Sequence, residues 1–115
     1  MASPKVGILG QSNPAANTSA DIYTVPAGRR AVISTLLACN QANGAAATIR
    51  AWARINGAAI GNGNAIVYDI PLAQNSHQPF TYGITFAAGD VISVQASTAN
   101  VTWTLWGEES DVPPL

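Results

Sequence analysis

The sequence predicts an all-β chain: an antiparallel two-sheet β-sandwich, jelly-roll-like, of about eight strands. Three observations predict it. Apolar residues alternate with Thr, Ser, Gln or Gly at period two, the mark of a half-buried strand. Turn signals recur at short spacing: Pro26-Ala27-Gly28, Asn43-Gly44, Asn56-Gly57, Gly61-Asn62-Gly63-Asn64, Gly89-Asp90 and Thr98-Ala99-Asn100. The segments between them have the length and spacing of sandwich strands and leave no room for βαβ units.

The elements follow in order. Residues 5–9 form a first strand, and 11–20, rich in Asn, Ser and Ala with Pro14, form a long loop. Strands are expected at 21–25 and 31–40. Residues 45–55 carry alanines that favour helix, with Ile49, Trp52 and Ala53 as a helical stripe. Two flanking Asn-Gly pairs, which favour tight type I′ hairpins, argue for a strand at 48–55 instead. A fifth strand covers 65–70. Then Phe80, Tyr82, Ile84 and Phe86 share one face of a strand, Ile92, Val94 and Ala96 one face of the next, and Val101, Trp103 and Leu105 one face of the last. These three strands read as an antiparallel meander. Residues 107–115, with Glu108, Glu109, Asp111 and Pro113-Pro114, read as an exposed tail or an arm onto a neighbour. The expected organisation is an arm, first strand and loop at 1–20, a sandwich domain at 21–107 and an acidic, Pro-containing tail at 108–115.

Composition narrows the function. Charged residues make up 10% of the chain, against roughly 25% in an ordinary soluble domain. Mean hydropathy is only +0.17, so small and neutral polar residues replace the charges. A free monomer keeps itself soluble with a mixed charged surface. A chain without one is expected to spend its life partly covered by copies of itself or by a partner. The net charge of −1 offers no footprint for nucleic acid, and no polybasic or amphipathic segment points to a membrane. The N-terminus lacks the charged-then-apolar pattern of a secretory signal, so the protein is expected not to be secreted.

Chemistry is sparse. Cys39 is the single cysteine and reads as a small buried hydrophobe with no basic neighbour in sequence. His77 is the single histidine and reads as an exposed loop residue. Of the six acids, Asp21 and Asp90 sit at turns or strand starts and three lie in the tail; only Asp69 falls inside a strand, as a cross-strand partner for Arg50 or Arg54. The Gly61–Asn64 cluster has no Lys-Ser/Thr after it and reads as a loop rather than a phosphate cradle. No catalytic residue, cofactor or metal is expected. The most unusual constellation is Arg50-x-Trp52-x-Arg54, one face of a strand opposite Ile49, Ala51, Ala53 and Ile55. A Trp between guanidiniums is half-covered by its neighbours, an interface anchor, or a stacking platform for a sugar or base. Trp106, alternating with Thr102 and Thr104, is a second outward candidate. Arg50, Trp52, Arg54, Asp69 and Trp106 form the expected interface set.

Two segments carry a family resemblance: Tyr23-Thr24-Val25-Pro26-Ala27-Gly28-Arg29-Arg30-Ala31-Val32, and Ile84-Thr85-Phe86-Ala87-Ala88-Gly89-Asp90-Val91-Ile92, with Val101-Thr102-Trp103 and Gly107-Glu108-Glu109 after it. Together they resemble small virion structural proteins of tailed bacteriophages, namely capsid decoration (cement) proteins and tail or fibre β-modules. The resemblance implies a non-enzymatic virion protein made in the host cytoplasm. Its partners would be its own copies, as a homotrimer, and the major capsid protein or another virion protein. A tail or fibre module is the structural alternative. A carbohydrate-binding β-sandwich using Trp52, Trp106 and amide side chains is the alternative from another class.

Overall fold

The computed structural model describes residues 4–112, apart from the Tyr82 side chain. Residues 1–3 of the expected arm, Pro113-Pro114 of the expected tail and the expected inward face of Tyr82 lie outside the described residues. Among the described residues there are eight strands: β1 (Lys5–Ser12), β2 (Ala20–Thr24), β3 (Arg29–Asn40), β4 (Ala47–Arg54), β5 (Ala65–Leu72), β6 (Ser76–Phe86), β7 (Val91–Ala96) and β8 (Val101–Asp111). They form two four-stranded sheets, a front sheet in the order β1-β8-β3-β6 and a back sheet in the order β2-β7-β4-β5. Every pairing is antiparallel. The fold is an all-β sandwich with jelly-roll topology.

That topology corrects the expected meander. Of the last three strands, β6 and β8 lie in the front sheet, apart from each other, and β7 lies in the back sheet. Among the described strands, only β4 and β5 are both consecutive and paired. The alternation itself is as read: Ile92, Val94, Ala96, Val101, Trp103 and Leu105 are all buried in one core. A period of two reports which face is buried, and in a sandwich both sheets bury their inner faces in the same place. Neither Asn-Gly pair makes a two-residue hairpin. Asn43-Gly44 lies in the crossing from β3 to β4, between sheets, and Asn56-Gly57 lies in a single 3₁₀ turn after β4. Their positive φ values, 94° at Gly44, 49° at Asn56 and 72° at Gly57, serve a crossing between sheets at the first pair and a long connection between the paired strands β4 and β5 at the second. The segment 48–55 is strand through Arg54, as expected.

The β3–β4 crossing is pinned by a buried polar residue. The Asn40 side-chain amide donates to the carbonyls of Ala45, Leu72 and Ala73, and its oxygen accepts from the Ala42 N–H at 3.0 Å. Beside it on β3, Cys39 is half-exposed and faces outward, opposite His77 of β6. Both depart from expectation: the thiol is outside the core, and the histidine is on a strand. The edge strands are β1, β6, β2 and β5. Two contain proline, Pro71 in β5 and Pro79 in β6. The other two have register breaks, between Ile8 and Gly10 and between Asp21 and Tyr23.

The expected tail is strand as far as Asp111. β8 runs between β1 and β3 in the middle of the front sheet, so Glu108 and Glu109 are held on both sides and Ser110 and Asp111 on the β3 side. Gly107 marks the tightest point of this stretch. A Cβ there would sit 2.2 Å from the Val32 carbonyl oxygen and 3.1 Å from Ile33 Cα. Backbone cannot yield as a side-chain tip does. Gly107→Ala is therefore expected to lose about 2 kcal/mol, the usual scale of overpacking, as a lowered urea midpoint. An unchanged midpoint would mean that β3 and β8 have slack at this row.

Candidate functional site

The two turns that carry the family resemblance meet residues 107–109 at one end of the sandwich, while residues 101–103 lie at the other end of β8. The Pro26-Ala27-Gly28 turn is closed by Arg29 N–H donating to Pro26 O, with Gly28 at φ 76°. The Ala87–Asp90 turn is closed by Asp90 N–H donating to Ala87 O, with Gly89 at φ 89°. The two turns also bond each other, Val25 N–H to Asp90 O and Gly89 N–H to Val25 O. Below them lies a buried polar cluster. On β8 the parity that buries Leu105 continues through Gly107 to Glu109, so Glu109 points inward and is only 7% exposed. Its carboxylate accepts from the Tyr23 hydroxyl of the back sheet at 2.5 Å and from Arg29 Nε of β3 at 2.5 Å. Arg29 also pairs with Asp111. The hydrogen bond from Tyr23, with the bond and charge of Arg29, holds the Glu109 carboxyl below its ordinary range against the opposing effect of burial. Burial, reinforced by Glu109, pushes the Tyr23 phenol up. This clamp ties both sheets together at one end.

The outer face of the back sheet holds four of the five expected interface residues. The cross-strand pair Arg50–Asp69 forms as read, Arg50 Nε to Asp69 Oδ1 at 2.6 Å. Arg54 pairs with Asp21 at 2.9 Å. A feature invisible to simple alternation builds the first pair. Between the partnered rows Ile49–Ile70 and Ala51–Val67, two residues of β5 oppose the single Arg50. The extra residue is accommodated by Asp69 at φ 53°. Tyr68 and Asp69 therefore both reach Arg50, whose Cζ lies 4.3 Å from the Tyr68 ring centroid. The cation–π contact expected at Trp52 is made by Tyr68 instead. The hydrogen bond to Asp69 raises the pKa of Arg50 further.

Trp52 itself is on the outer side of β4, opposite Ser93 and Ala65, yet only 4% exposed. The segment 55–64 folds back over this half of the sheet, with its two 3₁₀ turns resting on β7 and β4. Arg54 fastens it by donating to Ala58 O at 2.7 Å and Gly57 O at 3.1 Å. Asp90 fastens it from the other side by accepting from Asn56 N–H at 2.9 Å. The exposed Trp52 ring expected of an interface anchor is thus covered by the chain itself. The Gly61–Asn64 cluster forms the second turn of this cover, closed by Asn64.

The other half of the same face is open. Arg50 and Gln95 face each other across β4 and β7, with Asp69 on one flank, Asn17 on the other and Thr48 and Ser97 at the end. They line a cleft of about 160 Å³. Neither Asn17, which opens a glycosylation-like Asn17-Thr18-Ser19 triplet, nor Gln95, on the polar face of its strand, reads as a site residue from the sequence.

Trp106, the fifth residue of the set, is on the opposite side of the molecule. It is half-buried on the outer face of the front sheet, opposite Ile8 of β1 and Thr35 of β3. With Val6 (74% exposed), Ile8 (48%) and Val32 (45%) it forms an apolar patch. Glu108 lies in the patch between Val6 and Val32, and Arg30 on its rim opposite Ser110. No ion pair holds either charge among the described residues. Among the described residues no group of three or more His, Cys, Asp or Glu could hold a metal.

No known family matches the chain, and neither does any curated protein. Among solved structures, 92% of the chain is similar to a pentameric capsid protein isolated from metagenomic phage sequences, at 19% identity and a TM-score of 0.41, covering 61% of that chain. A second structure of the same description, solved by iodide SAD phasing, matches at 19% identity and 0.41, covering 62%. The infectious bursal disease virus Gt strain structure matches at 9% identity and 0.48, covering 32% of its chain. The chain spans less than two thirds of each. Functional assignment therefore rests on the residues.

Proposed function

We propose that this chain is a non-enzymatic structural subunit of a virus particle, a phage capsid decoration protein that works as a homo-oligomer, with the trimer as the number its family resemblance implies. The observation that carries the reading is the front-sheet patch of Val6, Ile8, Val32 and Trp106. Large apolar side chains gathered on one sheet face mark an interaction site in a chain with few charges to keep it dispersed. Most of the charges present are spent internally, Arg29 with Glu109 and Asp111, Arg50 with Asp69, and Arg54 with Asp21. The occupant is a second copy. The patch carries one acid and one base outside those pairs, Glu108 and Arg30, at different places on it, so around a threefold axis the acid of each copy can meet the base of the next over the shared apolar surface. The resemblance-bearing turns meet at the end of the sandwich that borders the patch, where Ala87 and Asp90 line one depression with Arg30, Val32 and Glu108, and this supports the phage assignment.

Light scattering is expected to give a native mass about three times the 11.8 kDa chain. Val32→Asp, on the patch, is expected to return the protein to monomer without lowering its unfolding midpoint. A monomer at every concentration, or an oligomer indifferent to Val32→Asp, would remove the reading. Co-sedimentation with heads rather than tails separates a decoration protein from a fibre module.

A further inference from the structure

We infer that the open half of the back sheet is a saccharide-binding cleft, formed by Arg50, Asp69, Gln95 and Asn17 and sized for a single neutral sugar ring. The inference is independent of the assembly reading, which places copies on the opposite face.

The polar groups here are not used up by the fold. Asp69 Oδ1 accepts from Arg50 Nε, which leaves Asp69 Oδ2 and the terminal nitrogens of Arg50 without a partner among the described residues. The side-chain amides of Asn17 and Gln95 likewise have no partner among the described residues, although the Asn17 backbone is fixed by its N–H donating to Ala96 O at 2.8 Å. Thr48 and Ser97 close the end, bonded to each other through Thr48 N–H to Ser97 Oγ at 2.8 Å and Ser97 N–H to Thr48 O at 2.9 Å. The cleft thus offers a mixture of donors and acceptors, with Arg50 and Gln95 on the two central strands of the sheet, Asp69 on the edge strand β5 and Asn17 on the loop before β2.

The mixture selects the ligand class. A phosphate or sulfate wants converging cations and would meet the Asp69 carboxylate. A calcium ion wants six to eight oxygens and would meet the Arg50 guanidinium. An apolar ligand would strand every one of these groups without a hydrogen bond. A neutral polyol satisfies both signs at once, because each hydroxyl both donates and accepts. Tyr68 holds the cation of the cleft in place: the Arg50 Cζ lies 4.3 Å from its ring centroid, while Tyr68 itself lines a separate depression with Asn62 and Ala65. At about 30 Å³ per liquid water, the cleft replaces roughly five waters, the scale of one ring rather than a polymer.

The test uses the ¹⁵N-labelled full chain titrated separately with glucose, galactose, mannose and N-acetylglucosamine, and with inorganic phosphate and calcium chloride. At least one sugar is expected to shift the side-chain NH₂ signals of Gln95 and Asn17 saturably, with a Kd in the millimolar range. Gln95→Ala and Asp69→Asn are each expected to weaken that binding about tenfold, the value of a hydrogen bond to a charged or well-placed group. Both side chains lie on an outer face, so unfolding midpoints should stay near that of the native chain. Val32→Asp should leave sugar binding unchanged. The proposal fails if no sugar moves those signals at tens of millimolar. It also fails if binding survives both substitutions, or if only phosphate or calcium produces the shifts.

Discussion

Glu109→Ala is expected to destabilise the chain by about 3 kcal/mol or more, the cost of removing one member of a buried charged pair. Two losses combine. The Tyr23 hydroxyl loses its acceptor, and the Arg29 guanidinium keeps Asp111 but loses the more buried carboxylate. Against a typical total stability of about 5–15 kcal/mol, that is a large fraction. Chemical denaturation measures it, and a midpoint near that of the native chain would show that the clamp is idle. The same residue sets an acid dependence. Its folded carboxyl titrates below the ordinary value of 4.5. The contribution is complete above that ordinary value and is lost as pH falls through the depressed one. Stability should therefore drop between these two points in the native chain. In Glu109→Gln that part of the drop should disappear.

Trp52→Ala is expected to cost about 3 kcal/mol in folding stability, as large-to-small changes at buried Trp do. The effect should be on the monomer. Trp52 is buried by its own chain, and the 55–64 segment should lose amide protection in the variant. This is the opposite signature to Val32→Asp, which should spare the fold and dissolve the assembly. Were Trp52→Ala to keep its midpoint and lose its oligomer, Trp52 would be an interface anchor after all.

Strand existence was legible because apolar parity is local. Ile92, Val94 and Ala96 announce β7, and Val101, Trp103 and Leu105 announce β8, without any knowledge of partners. Partnering was not legible, because one shared core gives strands of both sheets the same pattern. The Arg50–Asp69 pair was readable from parity and opposite charge. Tyr68 was not, because an extra residue in β5 turns both Tyr68 and Asp69 toward Arg50. Glu109 was hidden by its company: Glu108, Asp111 and the prolines suggest solvent, whereas parity carried on from Leu105 points it inward. Burial of Trp52 depends on where 55–64 returns, which no local pattern states. Asn17 reaches the cleft from a loop, and Gln95 enters as one of several polar residues on an outward face.

The edges of the two sheets decide what form an assembly can take. Proline removes one donor from each of β5 and β6, and register breaks kink β1 and β2. Among the described residues no border offers a long, straight row of amides onto which another chain could add a strand. Copies that meet do so through side chains on a face, where geometry fixes the angle between them. Growth then ends when the ring closes, and a protein stored at high concentration should give discrete particles rather than fibres.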